Sequence, residues 1–305
     1  MKITKLVCVS FLIGLFACQS ADENSSSKPS IVCTTNIVAD LIQQLGGDDF
    51  EVVSLMGPGV DPHIYKAKPR DIEKLQNASI VFYNGLHLEG KMSEILENFA
   101  KQKPCIALSD GINPDLIIRE EAFVGGMDPH FWFDTKLWEE AANYAALTMK
   151  KHFPDKGSSI DERLMGFRKE LQSLRDELES SVSELPVEKR MLVTAHDAFS
   201  YYAREYNFTL LSIQGLSTQS DFSVAVVDSL SNSIVEQKIP CAFFESSISK
   251  KSVETLLQVC KQKGMEVREG GILFSDALGN PDSEAGNYIG MLRHNTRQIL
   301  SCLKQ

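Results

Sequence analysis

Short apolar runs alternate with longer amphipathic stretches along most of the chain. Residues 30–57 and 190–215 follow one plan: a short apolar run, a turn that contains threonine, an amphipathic stretch and a second apolar run. In the first of these, Ile37, Leu41 and Leu45 recur at the spacing of a helix face. Strands that alternate with helices predict parallel sheets with helices on both faces.

Further strand and helix patterns of the same kind follow each of these stretches. They predict strands at residues 79–83, 105–108 and 241–244 and after Gly264, and helices at residues 92–101 and 252–263. The predicted fold class is therefore α/β, with two lobes that each contain a mostly parallel sheet flanked by helices.

One helix pattern between the two halves is longer than the others. Its apolar positions lie three or four residues apart and form a single stripe: Leu164, Phe167, Leu171, Leu174, Leu178, Val182 and Leu185. Ser158 or Ser159 can cap the start of this helix, and Pro186 ends it. The stripe is compatible with a coiled-coil dimer, but it stops after about four heptads. That length favours one backbone helix laid along both lobes, which would limit hinge motion between them.

These patterns divide the chain into three structural parts. Residues 30–157 are predicted to form an N-terminal α/β lobe, residues 158–186 the linking helix, and residues 187–305 a C-terminal α/β lobe. A mature chain of about 280 residues is long enough for each lobe to have a core of its own. Because the apolar stripe is expected to be buried within one chain, we expect a monomer.

The first residues are typical of a bacterial export signal. Two lysines precede an apolar run of twelve residues that ends at Ala17, and this run is shorter than an ordinary transmembrane helix. The run closes in LFAC, which resembles a bacterial lipobox. Residues 1–17 are therefore predicted to be a lipoprotein signal peptide and Cys18 the lipidated first residue; an uncleaved anchor or a plain secretory signal is the alternative. The polar segment 18–29 predicts a flexible tether, with the folded part on the periplasmic or cell-surface side of the membrane.

The cysteines beyond the signal peptide are Cys33, Cys105, Cys241, Cys260 and Cys302. No two of them have CxxC spacing, so a thiolate metal site is not expected. Cys33, Cys105 and Cys241 lie in apolar, strand-like runs and are predicted to be small buried hydrophobic residues. An odd number in an exported protein leaves at least one cysteine unpaired.

The candidate chemistry centres on a tripeptide that occurs twice, Asp-Pro-His at residues 61–63 and 128–130. The chain has only six histidines, and a third, His196, follows an apolar run in TAHDAF. Neutral imidazole is the commonest metal ligand and suits zinc and other transition metals. The proline in each tripeptide restricts the local backbone, which reduces the cost of ordering a ligand. His63, His130 and His196 are therefore candidate metal ligands.

The predicted strands place these histidines near one another. Ligands of open parallel sheets bind beyond the carboxyl ends of the strands. His63 and His196 follow predicted strands and His130 precedes a predicted helix, so the three can meet in a cleft between the lobes. A carboxylate would complete the coordination of a divalent ion. Asp276 and Glu245 both occupy strand-end positions, and spacing alone favours Asp276 only slightly.

Several motifs in order resemble the zinc/manganese substrate-binding lipoproteins of bacterial ABC transporters, the TroA/ZnuA type of cluster A-I. The matching strings are VDPHIYKAKPRD, YNGLHLEGKM, MDPHFWFD, VTAHDAFSYYAREY, IQGLST and LFSDALGNPDSEAGNYIGMLRHNTRQI. The resemblance covers nearly the whole mature chain. It implies two α/β lobes joined by one long helix, with the metal between them. It also implies the ligand set His63, His130, His196 and Asp276, which leaves Glu245 as a non-ligand.

The chain departs from the dedicated members of this family in two places. The segment before the second tripeptide, NPDLIIREEAFVGG, has no histidine, whereas zinc importers of the family often carry a histidine-rich loop there. Many manganese-dedicated members have a glutamate where this chain has His196. Three nitrogens and one carboxylate oxygen suit tetrahedral zinc, and a bidentate Asp276 would make manganese plausible. The resemblance therefore implies a divalent transition metal, zinc or manganese, as cargo.

The resemblance implies an extracytoplasmic binding protein that captures the metal and delivers it to the membrane permease of an ABC importer. Protonation of the histidines predicts weaker binding as the pH falls from about 7 to 5. Two alternatives remain: a zinc-dependent hydrolase that uses three histidines and an open position, and a surface adhesin, a role described for lipoproteins of this family. The net charge of −10 argues against a nucleic-acid partner.

Overall fold

The computed structural model describes residues 28–120 and 126–304. The predicted signal peptide 1–17, the lipidation site Cys18 and nearly all of the tether 18–29 lie outside the described residues. In the part of the chain that is described, no helix combines the length and apolar character needed to cross a bilayer.

The first half of the chain forms a four-stranded parallel sheet with helices packed against it. Its elements are β1 (Ser30–Thr35), α1 (Asn36–Gly46), β2 (Glu51–Met56), α2 (Pro69–Asn77), β3 (Ile80–Tyr83), α3 (Ser93–Ala100), β4 (Cys105–Ala107) and α4 (Thr135–His152). The strand order is β2-β1-β3-β4, and every neighbouring pair is parallel. All four carboxyl ends therefore lie at one edge of the sheet, as the α/β prediction requires.

The second half repeats the strand–helix alternation. Its elements are β5 (Met191–His196), α6 (Ser200–Tyr206), β6 (Thr209–Gln214), α7 (Val224–Gln237), β7 (Cys241–Glu245), α8 (Lys251–Gln262), β8 (Arg268–Leu273) and α9 (Tyr288–Leu303). β5 pairs with β6 and β7 with β8, both parallel. These are two separate two-stranded sheets, although β5 and β7 lie side by side. The predicted α/β class is confirmed, but the single parallel sheet expected here is divided into two pairs.

The pairing of β7 with β8 contains a register shift between Ala242 and Phe244. Gly270 lies so close to Phe243 that a Cβ atom would be 2.4 Å from the phenyl ring. Gly271 has φ of 97°, a conformation that glycine adopts at little cost. Beyond this irregularity Glu245 again pairs with Leu273, so the carboxyl ends of both strands meet at the same edge.

The long helix α5 (Gly157–Ser183) runs along both halves of the molecule. It contacts α1 and α4 of the first half and α9 of the second. The residues of the predicted stripe that it buries are Phe167, Leu171, Leu174, Leu178 and Val182. Because the stripe packs against the helices of its own chain, the structure supports the backbone-helix interpretation and not the dimer seam.

The predicted ends of α5 are partly wrong. The helix begins at Gly157 and no side chain caps its start. Ser159, one of the two predicted capping residues, lies inside the first turn, where its hydroxyl donates to the Asp49 carboxylate at 2.9 Å. At the other end the helix stops at Ser183, three residues before Pro186. Proline disfavours helical geometry in the residue before it, which is consistent with an end short of the proline.

The largest buried apolar cluster spans both halves, and each half also has a smaller cluster of its own. We refer to the largest cluster as the shared core. It includes Leu41 of α1, Trp138 of α4, Leu174 of α5 and Tyr288 of α9, none of which is exposed. The rings of Trp138 and Tyr288 stack with centroids 5.2 Å apart, and the Tyr288 hydroxyl donates to the carbonyl oxygen of Trp132 at 2.6 Å. The contact between the halves is therefore a continuous packed interior.

The cysteines depart from the prediction at two positions. Cys105 is only partly buried. Cys241 is buried, as predicted, but it forms a disulfide with Cys302 that joins the start of β7 to α9. Cys33, Cys105 and Cys260 are not in disulfides. This agrees with the expectation that at least one of the five cysteines is unpaired. The partners lie 61 positions apart in the sequence, so no local pattern could indicate the pairing.

Candidate metal centre

The Asp-Pro-His tripeptide forms the same local turn at both of its occurrences. The Asp61 carboxylate accepts the main-chain N–H of His63 at 2.9 Å, and the Asp128 carboxylate accepts that of His130 at 2.9 Å. An aspartate that bonds the backbone two residues later is a standard turn former. The aspartate thus sets the direction of the histidine that follows the proline.

The other two candidate residues come from strand ends of the second half. His196 is the last residue of β5 and Asp276 follows β8 by three residues. The sequence prediction placed His196 after the strand; the strand in fact continues through it. Glu245, the competing carboxylate, is the last residue of β7. All three lie at neighbouring strand ends, where the sheet geometry brings them together.

The structure brings His63, His130, His196 and Asp276 into one buried cluster. One ligand atom of each lies within 4.8 Å of the ligand atoms of the others, and none of the four residues is more than 1% exposed. The Nε2 atoms of His63 and His130 are 3.3 Å apart. The Asp276 carboxylate oxygens lie 3.4 Å from His130 Nε2, 3.4 Å from His196 Nε2 and 4.0 Å from His63 Nε2.

These separations fit a metal ion at the centre of the cluster. A tetrahedral ion with bonds of about 2.0–2.1 Å separates its ligand atoms by about 3.3–3.4 Å. Three of the four distances have this value, with His130 facing Asp276 Oδ1 and His196 facing Asp276 Oδ2. His196 Nε2 and Asp276 Oδ1 are buried and have no hydrogen-bond partner of normal geometry. A bound cation would satisfy such buried polar atoms.

Two carboxylates orient the imidazoles from behind. Asp128 lies 2.8 Å from His130 Nδ1, and Glu245 lies 2.6 Å from His196 Nδ1 while also accepting the main-chain N–H of His196 at 2.9 Å. An acceptor at Nδ1 holds the ring with Nε2 facing the metal position and makes it a better donor. From its strand-end position Glu245 was predicted only as a competing ligand, which the family resemblance then removed. Its contact with His196 was not predicted, because a strand-end position does not indicate which residue the side chain contacts.

The surrounding charges alter the pKa values of the cluster. Burial opposes protonation of His130, but its hydrogen bond to Asp128 and the charges of Asp128 and Asp276 raise its pKa to about 9. Burial likewise opposes protonation of His196, yet Glu245 and Asp276 hold its pKa well above the usual range. Burial lowers the pKa of His63 to about 3. Burial alone would raise the pKa of Asp276, but the positive charge of His196 and the close approach of the His130 and His196 rings keep it well below its usual value.

A buried polar network supports the loop that carries His130. Glu89 accepts hydrogen bonds from the Thr34 hydroxyl at 2.7 Å and from the main-chain N–H of Asn84 at 2.8 Å. The Asn84 amide donates to the carbonyl oxygen of Pro129 at 2.9 Å. Burial raises the pKa of Glu89. The network links β1 and the end of β3 to the residue that precedes His130.

Contacts between the halves hold the loop that carries Asp276. The Trp132 indole N–H donates to the carbonyl oxygen of Ser275 at 3.1 Å, and its ring lies against that of His130 with centroids 5.2 Å apart. Trp132 thereby connects the second Asp-Pro-His turn to the residue next to Asp276.

Comparisons with known proteins agree with this architecture. The family model for ZnuA, zinc-uptake complex component A, periplasmic, matches residues 31–302. The chain is 38% identical over 286 residues to the manganese-binding lipoprotein MntA of Bacillus subtilis, covering 93% of both chains. It is 38% identical over 286 residues to the zinc-binding protein TroA of Treponema pallidum, covering 93% of this chain and 92% of TroA.

A solved structure gives the same result. The periplasmic zinc-binding protein TroA from Treponema pallidum matches with a TM-score of 0.88 and 38% identity, over 91% of this chain and 99% of that chain. The two-lobe fold with one long helix, implied by the motif resemblance, is therefore confirmed. Since the family match extends across all four residues of the cluster, the chain belongs to the ZnuA family.

Proposed function

We propose that this protein is the extracytoplasmic substrate-binding component of a metal-ion ABC importer. It captures one divalent transition metal ion with His63, His130, His196 and Asp276 and delivers it to a membrane permease. The observation that carries the proposal is the convergence of four buried metal-ligating side chains from both halves, whose ligand atoms lie within 4.8 Å of one another.

The electrostatics of the cluster suit a divalent cation. Asp276, Asp128 and Glu245 place three carboxylates in or directly behind the cluster. When the histidines are neutral, an ion of charge +2 offsets most of this buried negative charge. Without the ion, protons on His130 and His196 serve the same purpose, which is why their pKa values are raised. Metal capture is therefore an exchange of protons for the ion.

Zinc and manganese are the proposed cargoes. MntA is named for manganese and TroA for zinc, and the chain is equally similar to both. Three nitrogens and one oxygen suit tetrahedral zinc, whereas manganese favours more oxygen donors, which Asp276 can supply only by binding through both oxygens. Zinc binds more tightly than manganese at most sites with these donors, so affinity alone does not identify the cargo.

The hydrolase alternative is not favoured. It required an open position beside three histidines, but the Asp276 carboxylate lies within 3.4 Å of two of them. The relatives are named for metal binding and uptake. The adhesin alternative stays a prediction.

Metal content measured by mass spectrometry tests the capture site. The folded part of the chain, without the predicted signal peptide and tether, would be stripped of bound metal and reloaded with equimolar zinc, manganese and iron. The variants Asp276→Ala and Asp282→Ala would be treated in the same way. Asp282 is an exposed aspartate of the same loop region. We expect about one equivalent of metal in the parent and in Asp282→Ala and much less in Asp276→Ala. Equal retention by Asp276→Ala would contradict the proposed ligand set.

The membrane attachment belongs to the same proposal. Lipidation of Cys18 would keep the binding protein beside its permease, and the relative MntA is named a lipoprotein. Fractionation of cells that express Cys18→Ala tests the anchor, because the variant is expected to leave the membrane fraction. Retention of the variant in that fraction would favour an uncleaved anchor.

A further inference from the structure

His63 is held differently from the other two histidines of the cluster. The Nδ1 atoms of His130 and His196 each face a carboxylate, whereas His63 Nδ1 is buried without a hydrogen-bond partner. His63 lies between β2 and α2, outside both elements. The position of His63 therefore depends on the main chain between β2 and α2 and on the residues that contact this segment.

Two adjacent residues of the second half contact this segment. The Thr218 hydroxyl donates to the Asp61 carboxylate at 2.5 Å, and the Gln219 side-chain amide donates to the carbonyl oxygen of His63 at 3.2 Å. Asp61 in turn accepts the main-chain N–H of His63. Thr218 and Gln219 belong to the loop between β6 and α7. The two hydrogen bonds thus join the β6–α7 loop of the second half to Asp61 and His63 of the first half, beside the metal centre.

Gly90 leaves the space that this contact needs. A Cβ atom at Gly90 would lie 2.7 Å from Gln219 Nε2 and 3.7 Å from the carbonyl oxygen of His63. The nearer atom is the end of a flexible side chain. An alanine at this position would therefore displace the Gln219 amide with little disturbance of the backbone around it.

A cavity of about 480 Å³ lies beside this contact. Its lining includes Asp61 and Thr218, the exposed Ile64 and Ser247. Ser247 Oγ is 3.4 Å from Asp276 Oδ2. The cavity therefore reaches residues that touch two of the proposed ligands, and the Asp61–Thr218 hydrogen bond forms part of its wall.

We infer that Thr218 and Gln219 form a latch that sets the rate at which bound metal leaves. The latch holds the segment 57–68 closed on the ion, and breaking its two hydrogen bonds opens the centre towards the cavity. The inference rests on the proposed function. None of the latch side chains is a ligand, so the latch acts on the lifetime of the complex and not on the coordination of the ion.

Stopped-flow release of metal into an excess of a chelator tests the latch. Zinc-loaded parent would be compared with Thr218→Val, Gln219→Leu and Gly90→Ala. Because each hydrogen bond contributes modestly, we expect release to be roughly tenfold faster in each variant. Ser220→Ala is the matched control, since Ser220 is an exposed neighbour in the same loop, and its release rate should equal that of the parent.

Cobalt loading distinguishes faster release through the latch from faster release caused by altered metal ligands. The visible absorption of the cobalt-loaded protein reports the coordination sphere, and it should be the same in the parent and all variants. Unchanged release rates in the three variants, or an altered cobalt spectrum with faster release, would overturn the latch. A parent that fails to retain one equivalent of metal would instead refute the proposed function on which the latch depends.

Discussion

At the scale of single residues, a carboxylate accepts the main-chain N–H of every histidine in the cluster. Asp61 and Asp128 do so for the histidine two positions later, whereas Glu245 does so for His196 across 49 positions of sequence. Asp128 and Glu245 also reach the ring nitrogen of their histidines. Local and long-range carboxylates thus achieve the same orientation of a metal-facing imidazole.

Replacement of Asp128 by asparagine should weaken metal binding without abolishing it. The variant Asp128→Asn keeps the shape of the side chain but removes the charge that supports the His130 ring. Loss of such support typically reduces metal affinity by about 10–100-fold. Competition titration against a chelator of known affinity measures the change. The exposed Asp115→Asn serves as the control, and an equal affinity in the two variants would contradict the orienting role.

Metal affinity should rise with pH through and above neutrality. His130 has a pKa of about 9 in the metal-free protein and the pKa of His196 is also raised, so capture at pH 7 must displace protons. Affinity should then increase by up to about tenfold per pH unit for each proton displaced. The decrease predicted from the sequence between pH 7 and 5 is therefore expected to begin above pH 7. Calorimetry in buffers of different ionisation enthalpy measures the protons released, and zero release at pH 7.5 would contradict the expectation.

The stability of the metal-free protein should fall as the pH rises, which is opposite to the trend of metal affinity. A histidine whose pKa is raised on folding contributes stability that is complete below its unfolded pKa of about 6.5 and disappears as the pH rises through its folded pKa. For His130 that loss is centred between about 6.5 and 9. Urea unfolding of stripped protein across this range tests the sign. The control is His152→Gln, because His152 is exposed and its replacement should leave the pH dependence of stability unchanged.

At the scale of elements, α5 connects the two halves through one buried stripe. It packs against α1, α4 and α9, which come from both sides of it in sequence. The start of the helix is also tied to the first half, because Arg163 forms an ion pair with Asp49 at 2.8 Å. A helix fixed along its length in this way is a poor site for a hinge.

Truncation within the stripe should destabilise the whole protein. Leu174 is fully buried on α5, and Leu174→Ala is expected to lower the free energy of unfolding by about 2–5 kcal/mol. Met165 lies on the same helix but is 56% exposed, so Met165→Ala should change the free energy of unfolding by less than about 0.5 kcal/mol. Urea unfolding of both variants provides the comparison. Similar effects from the two would mean that the stripe does not form the core contact.

At the scale of the whole molecule, the halves share a core and enclose the metal centre between them. The core residues of α1, α4, α5 and α9 form one cluster, and Trp132 connects the His130 turn to the Asp276 loop. A large rotation of one half would break this packed interior. Local opening of the segment that carries His63 would leave it intact.

Metal binding should therefore leave the overall shape nearly unchanged. A compact chain of this size has a radius of gyration of about 19 Å, and we expect the metal-free and metal-loaded forms to differ by less than about 1 Å. Small-angle X-ray scattering on stripped and loaded protein measures the difference. A contraction of several ångströms on loading would show that α5 permits hinge closure.

Most of the strand–helix order and the candidate ligand types were predicted from the sequence, although α2 and α7 were not. Hydrophobic periodicity is a local property, so it was sufficient for the strand–helix alternation and for the long helix. The two Asp-Pro-His turns are also local, since each aspartate bonds a backbone N–H only two residues away. The end of α5 was less predictable, because Pro186 only sets a limit that the helix does not reach.

By itself, the sequence determined the α/β class and the three histidines, but it left Asp276 and Glu245 nearly equivalent until the family motifs separated them. Tertiary structure decided their positions: Glu245 ends β7 beside the backbone of His196, while Asp276 extends three residues beyond β8 into the cluster. It also decided the Cys241–Cys302 pairing and the contact of Thr218 with Asp61. These features depend on strand register and on packing between distant segments, which no local pattern of polar and apolar residues encodes.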